Sequence, residues 1–255
     1  MNAGAQSSDI SRRLESWYGR DAGAQLHAAL QQRLGPLLDR SFGYHALQLG
    51  PLPALDLIAD SPINHRIRAC AHPHGGTTLR CYGDELPLES DSVDVLVAFH
   101  ALEFEPRPHA SLREMQRVLR PFGHLVVIGF NPHSLLGLGL RLRGLRRDGL
   151  WGRHQPVSPG RLVDWLHLVD CELEDLHHLY PIPLLGSGGL RRAIGRFDDW
   201  AMRRRLPGGG IYLAHAVKQR TAMRPLRERQ LLQPALPRLS LVGSPQAARR
   251  RDRAA

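Results

Sequence analysis

The sequence has few cysteines and no long apolar run, and both absences narrow the kind of protein it encodes. Its 255 residues include three cysteines, at positions 70, 81 and 171, without a C-x-x-C spacing. An odd, scattered set favours reduced, buried thiols over disulfides or a structural zinc ion. No stretch of about 20 apolar residues could span a bilayer, and residues 1–20 lack the apolar core of a secretory signal. We therefore expect a cytoplasmic protein without a transmembrane segment.

The net charge of +10 is concentrated at the carboxyl-terminal end of the sequence. Residues 1–136 carry 12 arginines and 14 acidic residues, whereas residues 218–255 carry 10 basic residues and 2 acidic ones. The end of the chain is also rich in proline and glutamine and shows little periodicity, which predicts a disordered basic tail over residues 221–255. Such a tail could contact nucleic acid or an acidic surface. Without interleaved aromatic residues, however, it is more often a solvated extension.

The clearest structural pattern lies between residues 83 and 132. The apolar run from Val93 to Phe99 is typical of a strand covered on both faces. Pro108 suits the first turn of a helix, and a second buried run at residues 124–129 follows a turn at residues 121–123. Strand, helix and strand with short joints predict a right-handed crossover unit of a parallel sheet. The predicted helix carries an apolar stripe of Leu112, Met115, Val118 and Leu119.

This block resembles the S-adenosylmethionine-dependent methyltransferases of the type 11 group, which have a Rossmann-like fold. The resemblance rests on Asp84-Glu85-Leu86-Pro87 ahead of the strand and on the RExxRVL motif of residues 113–119, which is followed by Arg120-Pro121-Phe122-Gly123. It covers about 50 residues in order, which is more specific than a lone glycine motif. The GFNPxSxxGL run at residues 129–138 is similar to one small bacterial branch of the group.

The resemblance implies an α/β fold with a mostly parallel sheet and helices on both faces. Residues 1–40 have a loose apolar stripe at helical spacing and predict an N-terminal helical cap. Residues 41–220 are predicted to form the methyltransferase-like domain, with a basic helical insertion at about 132–155. Further strands are expected at residues 43–50, 65–71, 77–81, 171–179 and 210–218, and further helices at residues 158–168 and 190–206.

The basic insertion combines several leucines with Arg141, Arg143, Arg146 and Arg147. A basic amphipathic helix of this kind could cover the substrate mouth as a lid or touch lipid headgroups. It could also simply pack against the domain, and the sequence leaves the three alternatives open.

The resemblance implies that S-adenosylmethionine binds at the carboxyl edge of the sheet, where such folds hold ligands. Gly50 ends the first predicted strand. Asp84 would accept a hydrogen bond from the adenine amino group, with Glu85 and Leu86 beside the ring. His100 follows the fourth strand and could face the cofactor or act as a base. The alternatives are that Asp84 ends a turn and that His100 packs under the next loop.

Asn131 follows the fifth predicted strand and could orient a substrate amine or carboxylate. It could equally cap a helix that begins at Pro132, a role that asparagine fills well. Several histidines stand near one another, but none belongs to a C-x-x-C or H-E-x-x-H framework, so we predict no metal site. A dedicated base is not required, because the sulfonium methyl group is already a good electrophile and alignment can supply the catalysis.

Two positions depart from the family pattern. The family's first strand ends in GxGxG, whereas this chain has Gly50-Pro51-Leu52-Pro53-Ala54; its second strand ends in an acid that holds the ribose hydroxyls, whereas this chain has His72-Pro73-His74. A positive φ at Leu52 would cost about 1–2 kcal/mol and direct its side chain into the cofactor's space. Two hypotheses follow. The chain transfers methyl groups from S-adenosylmethionine to an unidentified acceptor, or it is a catalytically inactive domain of the same fold that serves as a binding or regulatory module.

Overall fold

The computed structural model describes residues 3–72, 75–134, 155–179 and 209–219. These residues form four helices and seven strands. In chain order they are α1 (Ala3–Tyr18), α2 (Asp21–Arg40), β1 (His45–Leu49), β2 (His65–Cys70), β3 (Leu79–Arg80), β4 (Val93–Phe99), α3 (Pro108–Val118), β5 (Leu119–Phe130), α4 (Pro159–Leu168), β6 (Cys171–Leu179) and β7 (Ile211–Lys218).

The strands form one sheet in the order β3-β2-β1-β4-β5-β7-β6. Strands β1 to β5 are parallel to one another, whereas β7 is antiparallel to both β5 and β6. From β1 the chain adds β2 and β3 on one side and then β4 and β5 on the other, so the strand order reverses between β1 and β4. Ligands of open parallel sheets bind at such a point, outside the carboxyl ends of the strands. The predicted mostly parallel sheet is confirmed.

Helices cover both faces of the sheet, as predicted. On one face, α3 and α4 contribute to a core with alternate residues of the strands. On the other face, α1 and α2 form a second core with the intervening strand residues, including Val95, Val97 and Phe99 of β4. Every residue of β4 is buried because the strand contributes to both cores, which explains its almost continuous apolar sequence.

The junction of α3 and β5 differs from the prediction. We expected Leu119 in the apolar stripe of the helix, but α3 ends at Val118 and Leu119 pairs with Val93 as the first residue of β5. The register then shifts, so that Val95 pairs with His124. The prediction failed because a side chain buried by strand pairing and one buried by helix packing are both apolar, and periodicity alone does not separate them.

Other element boundaries lie close to those predicted. The helix expected at Ser158 and Pro159 is α4, and the Ser158 hydroxyl accepts a hydrogen bond from the Arg161 amide at 3.3 Å. Strand β3 is only two residues long instead of the predicted five, because it forms the edge of the sheet and pairs on one side. Helices α1 and α2 lie within the predicted cap of residues 1–40.

Several predicted segments lie outside the described residues. They are most of the basic insertion, the helix expected at residues 190–206 and the tail at residues 221–255. In the described part of the chain, no helix is long and apolar enough to cross a membrane.

Candidate cofactor-binding site

A cavity opens at the carboxyl edge of the sheet, between the ends of β1 and β4. Its empty volume is about 420 Å³, which includes solvent space at the open mouth. The loops after β1, β2, β3 and β4 form its walls, together with one turn of α1. The lining residues are Ile10, Ser11, Leu49, Gly50, Pro51, Cys70, Ala71, Cys81, Gly83, Ala101, Phe104 and Glu105.

Gly50 occupies the position in this wall that only glycine can fill. Its φ is +148°, and a Cβ atom there would lie 2.0 Å from the carbonyl oxygen of Phe99. Its amide donates a hydrogen bond to the Ala69 carbonyl at 3.2 Å. Gly50 therefore lets the ends of β1, β2 and β4 approach closely, and it brings the backbone to the cavity surface.

Leu52 points away from the cavity. It is 1% exposed and packs in the core formed with α1 and α2, and its φ is not positive. The buried side chain of Gln48 holds the loop, since its amide donates to the Leu55 carbonyl at 2.9 Å and its oxygen accepts from the Leu57 amide at 2.8 Å. The strain considered from the sequence is therefore absent at Leu52.

The predicted adenine-binding residues occupy three different environments. Asp84 follows the cavity-lining Gly83, and its side chain is 12% exposed and pairs with Arg107 at 2.5 Å. Glu85 is exposed to solvent. Leu86 is buried in the core beneath α3. Asp84 thus borders the cavity, whereas the side chains of Glu85 and Leu86 are not among those that line it.

Two residues of the RExxRVL motif anchor the loop that carries Asp84. Glu114 accepts a hydrogen bond from the Leu86 amide at 3.2 Å, and Arg117 donates to the Leu86 carbonyl at 2.9 Å and to the Leu88 carbonyl at 3.0 Å. The two side chains also pair with each other at 2.8 Å. The hydrogen bond from Arg117 lowers the pKa of Glu114, so that this carboxylate stays charged.

Glu105 supplies a carboxylate to the cavity wall. It lies in the loop between β4 and α3 and accepts a hydrogen bond from the Gly83 amide. Burial raises the pKa of Glu105, and the nearby charge of Asp84 raises it further. A carboxylate in this situation gains from additional hydrogen-bond donors, which a ligand could provide.

His100 lies beneath the cavity, in a buried hydrogen-bonded chain. Its ring is fully buried; Nε2 is 2.6 Å from the Tyr18 hydroxyl and Nδ1 is 2.6 Å from Oε2 of Glu103. The other oxygen of Glu103 accepts a hydrogen bond from the Phe130 amide. The ring also stacks on Phe130 at a centroid distance of 4.3 Å. The structure thus places His100 under the next loop, the alternative given above, and not among the residues that line the cavity.

Asn131 organises the turn after β5. Its side-chain oxygen accepts a hydrogen bond from the His133 amide at 3.0 Å, and its carbonyl accepts one from the Ser134 hydroxyl at 2.8 Å. It is almost fully buried. These contacts are those of a turn, and the helix that the alternative interpretation expected Asn131 to cap falls in residues outside the described ranges. Its role toward a substrate stays a prediction.

Cys70 and Cys81 place thiols in the cavity wall. Burial raises the pKa of both groups, to about 11 for Cys81, so they stay protonated near neutral pH and are poor nucleophiles. Within the described ranges, no group of three or more histidine, cysteine or acidic side chains could hold a metal ion.

Sequence reasoning brought Gly50 and Asp84 to this edge but did not find several wall residues. Ile10 and Ser11 were not found because they belong to α1, which is distant in sequence from the strand ends that form the rest of the wall. Glu105 carried a usable signal, because it is an acidic residue in the loop directly after a buried parallel strand, where ligands bind.

Comparisons with known proteins support a methyltransferase fold. Residues 57–127 match a family model described as a methyltransferase domain. The uncharacterized protein YafS of Escherichia coli strain K12 is 30% identical over 177 residues, which are 69% of this chain and 72% of that protein.

Two solved structures share the architecture. A methyltransferase of Thermotoga maritima, described as dependent on S-adenosylmethionine and as a possible histamine N-methyltransferase, has a TM-score of 0.59 at 17% identity and covers 82% of this chain and 95% of its own. A putative methyltransferase of Bacillus halodurans has a TM-score of 0.51 at 12% identity, with 76% and 99% covered. Identities this low show the fold alone. Together, these findings show that the chain belongs to the same family as the YafS protein and contains a methyltransferase domain with the class I, Rossmann-like fold.

Proposed function

We propose that the chain binds S-adenosylmethionine in the cavity between β1 and β4 and transfers its methyl group to an acceptor. The observation that carries the proposal is the cavity itself, which lies at the reversal of strand succession and has Gly50 in its wall. Its residues fit the cofactor, because Gly50 permits close backbone approach and Glu105 supplies a carboxylate to the wall, with Asp84 next to the lining residue Gly83.

The roles of the individual residues follow from their positions. Gly50 would face the methionine end of the cofactor, and Asp84 would accept a hydrogen bond from the adenine amino group. The Glu114–Arg117 pair would hold the Asp84 loop in place. When bound, the cofactor supplies an electrophilic methyl group, so the protein needs chiefly to align the acceptor with it.

We assign no proton transfer to His100. Both of its ring nitrogens are occupied by Tyr18 and Glu103 inside the protein, so the ring has no nitrogen available to an acceptor substrate. Its place in the proposed function is to support the floor of the cavity.

The alternative, a binding or regulatory module without catalysis, is favoured by one observation. Pro51 lines the cavity next to Gly50, and proline supplies no amide donor to a ligand. A measurement of S-adenosylmethionine affinity distinguishes the two functions, because the non-catalytic module does not require the cofactor to bind.

Calorimetric titration with S-adenosylmethionine and S-adenosylhomocysteine tests the proposal. We expect both to bind the full chain, and Asp84→Ala to weaken binding by about 1–3 kcal/mol if it satisfies a buried amine. Arg107→Ala is the matched control, because it removes the ion-pair partner of Asp84. The Arg107 side chain is 71% exposed, so its loss should change the affinity little. Absence of binding to the parent protein would support the non-catalytic alternative, and equal affinity for Asp84→Ala and the parent would remove Asp84 from the site.

A further inference from the structure

The end of β2 provides no carboxylate to the cavity. Its residues in the wall are Cys70 and Ala71, and the Cys70 thiol is engaged with the His72 carbonyl at 3.3 Å. A ligand that presents a pair of hydroxyl groups on this side would therefore find no acidic side chain from β2. A buried hydroxyl without a hydrogen-bond partner is costly, so the wall must supply an acceptor from another element if such a ligand binds.

Glu105 supplies an acceptor on this side of the cavity. It lines the same cavity as Cys70 and Cys81, which places the carboxylate near the ends of β2 and β3. It is the only acidic residue among the described residues that line the cavity. The hydrogen bond from the Gly83 amide fixes its direction, and a carboxylate can accept about four hydrogen bonds in all.

We propose that Glu105 accepts hydrogen bonds from the two ribose hydroxyls of S-adenosylmethionine, and that it does so from the loop after β4. This inference rests on the proposed function. The ligand chemistry is a neutral vicinal diol: a carboxylate repels phosphate and carboxylate groups, and a sulfonium sulfur carries no hydrogen to donate. The methionine end would lie at Gly50, so the ribose would lie between Gly50 and the Asp84 loop, next to Glu105.

The electrostatic setting of Glu105 agrees with this assignment. Burial and the charge of Asp84 both disfavour the ionised form, and two hydroxyl donors would offset that cost. Arg107 pairs with Asp84 at 2.5 Å, and its charge also favours the ionised form of Glu105, but burial and Asp84 outweigh it, so the pKa of Glu105 stays raised.

The test combines a protein variant with a ligand variant. Affinities of the full chain and of Glu105→Gln are measured by calorimetry for S-adenosylhomocysteine and for its 2′,3′-dideoxy analogue. We expect Glu105→Gln to weaken S-adenosylhomocysteine binding about 10- to 100-fold, as loss of hydrogen bonds to a charged group does. Binding of the dideoxy analogue should be unchanged between the two proteins. Glu89→Gln, which alters an exposed acid of the loop after β3, should change neither affinity.

The outcomes separate this inference from the proposed function. Binding to the parent chain with equal losses for both ligands in Glu105→Gln, or with no loss, overturns the role of Glu105 and leaves the cofactor site intact. The same titrations are made with S-adenosylmethionine: a loss in Glu105→Gln confined to that ligand, with S-adenosylhomocysteine unaffected, would show that Glu105 instead responds to the sulfonium charge. No binding of any ligand to the parent chain overturns the proposed function itself. If Glu105→Gln unfolds, Glu105→Asp keeps the charge with a shorter reach and should show the same selective loss.

Discussion

The buried side chains of Tyr18, His100 and Glu103 form a hydrogen-bonded chain beneath the cavity, which joins α1 to the loop after β4. Burial raises the pKa of Tyr18, and the charge of Glu103 raises it further, so the phenol keeps its proton and donates to Nε2 of His100. His100 then carries its proton on Nδ1 and donates to Glu103. This arrangement satisfies each group and ties α1 to the ends of β4 and β5.

Tyr18→Phe should destabilise the protein by about 1–3 kcal/mol, because it leaves Nε2 of His100 buried without a donor. Chemical denaturation monitored by circular dichroism measures the change. Tyr44→Phe removes the same hydroxyl from a side chain that is 73% exposed, and it should have almost no effect. Equal stability of the two variants would show that the Tyr18 hydrogen bond contributes nothing.

Leu52→Ala should lower the free energy of unfolding by about 2–5 kcal/mol, because it removes a side chain buried in the core with α1 and α2. S-adenosylmethionine affinity should stay unchanged while the variant is folded, because Leu52 does not line the cavity. Denaturation and calorimetry measure the two effects. Leu168→Ala alters an exposed leucine and serves as the control. Tighter cofactor binding by Leu52→Ala would instead show that the leucine side chain obstructs the site.

At the scale of elements, α3 positions the loop that borders the cavity. Its residues Glu114 and Arg117 contact the backbone of that loop at Leu86 and Leu88, while its apolar face packs on the sheet. The RExxRVL motif thus combines two functions in one helix: burial on one side and attachment of the loop that carries Asp84 on the other.

Glu114→Gln should lower stability at neutral pH by about 1 kcal/mol, a modest value because Arg117 is about one-third exposed. The folded pKa of Glu114 is lowered, so its contribution is complete above the unfolded value near 4.3 and disappears as the pH falls through the folded pKa. The stability difference between parent and variant should therefore be present at pH 7 and vanish in acid. Denaturation at several pH values measures it, and a difference that grew in acid would contradict the assignment.

At the scale of the whole molecule, a buried lysine fixes the carboxyl end of β7 to the rest of the described domain. Lys218, the only lysine of the chain, is buried and donates to Asp91 at 2.7 Å and to the carbonyls of Gln116 and Leu119 at 2.8 and 2.7 Å. The last strand is thereby attached to the loop before β4 and to the junction of α3 and β5.

Deletion of residues 221–255 should leave the melting temperature nearly unchanged, because residues 1–220 form a compact unit of their own and the deleted sequence is basic and lacks a core-forming pattern. Differential scanning calorimetry compares the two proteins. Truncation after Ala216 also removes Lys218 and should lower the melting temperature strongly. A large drop on deletion of residues 221–255 alone would show that the tail stabilises the domain; its contact with nucleic acid or an acidic surface stays a prediction.

The sequence by itself determined the elements that are buried on both faces or begin with a distinctive residue. Strands β4 and β6 lie at the predicted residues, and α3 and α4 begin at the predicted prolines. Strand β4 is recognisable because burial on both faces requires a continuous apolar run, and the two helices because proline at the first turn loses no needed hydrogen bond. This reason does not apply to β6, which is mostly half-buried or exposed at the edge of the sheet. Motif resemblance added the fold and brought Gly50 and Asp84 to one edge.

Only the tertiary structure decided which side chains share the cavity and which lie beneath it. Tyr18 and His100 are 82 residues apart in sequence, and Glu105 lines the same cavity as the ends of β2 and β3 although β1 separates β4 from β2 in the sheet. The direction of Leu52 depends on Gln48, whose side chain holds the loop from inside the core. Such contacts join elements that are distant in the chain, so the local sequence pattern does not predict them. They depend on the order in which the strands pair.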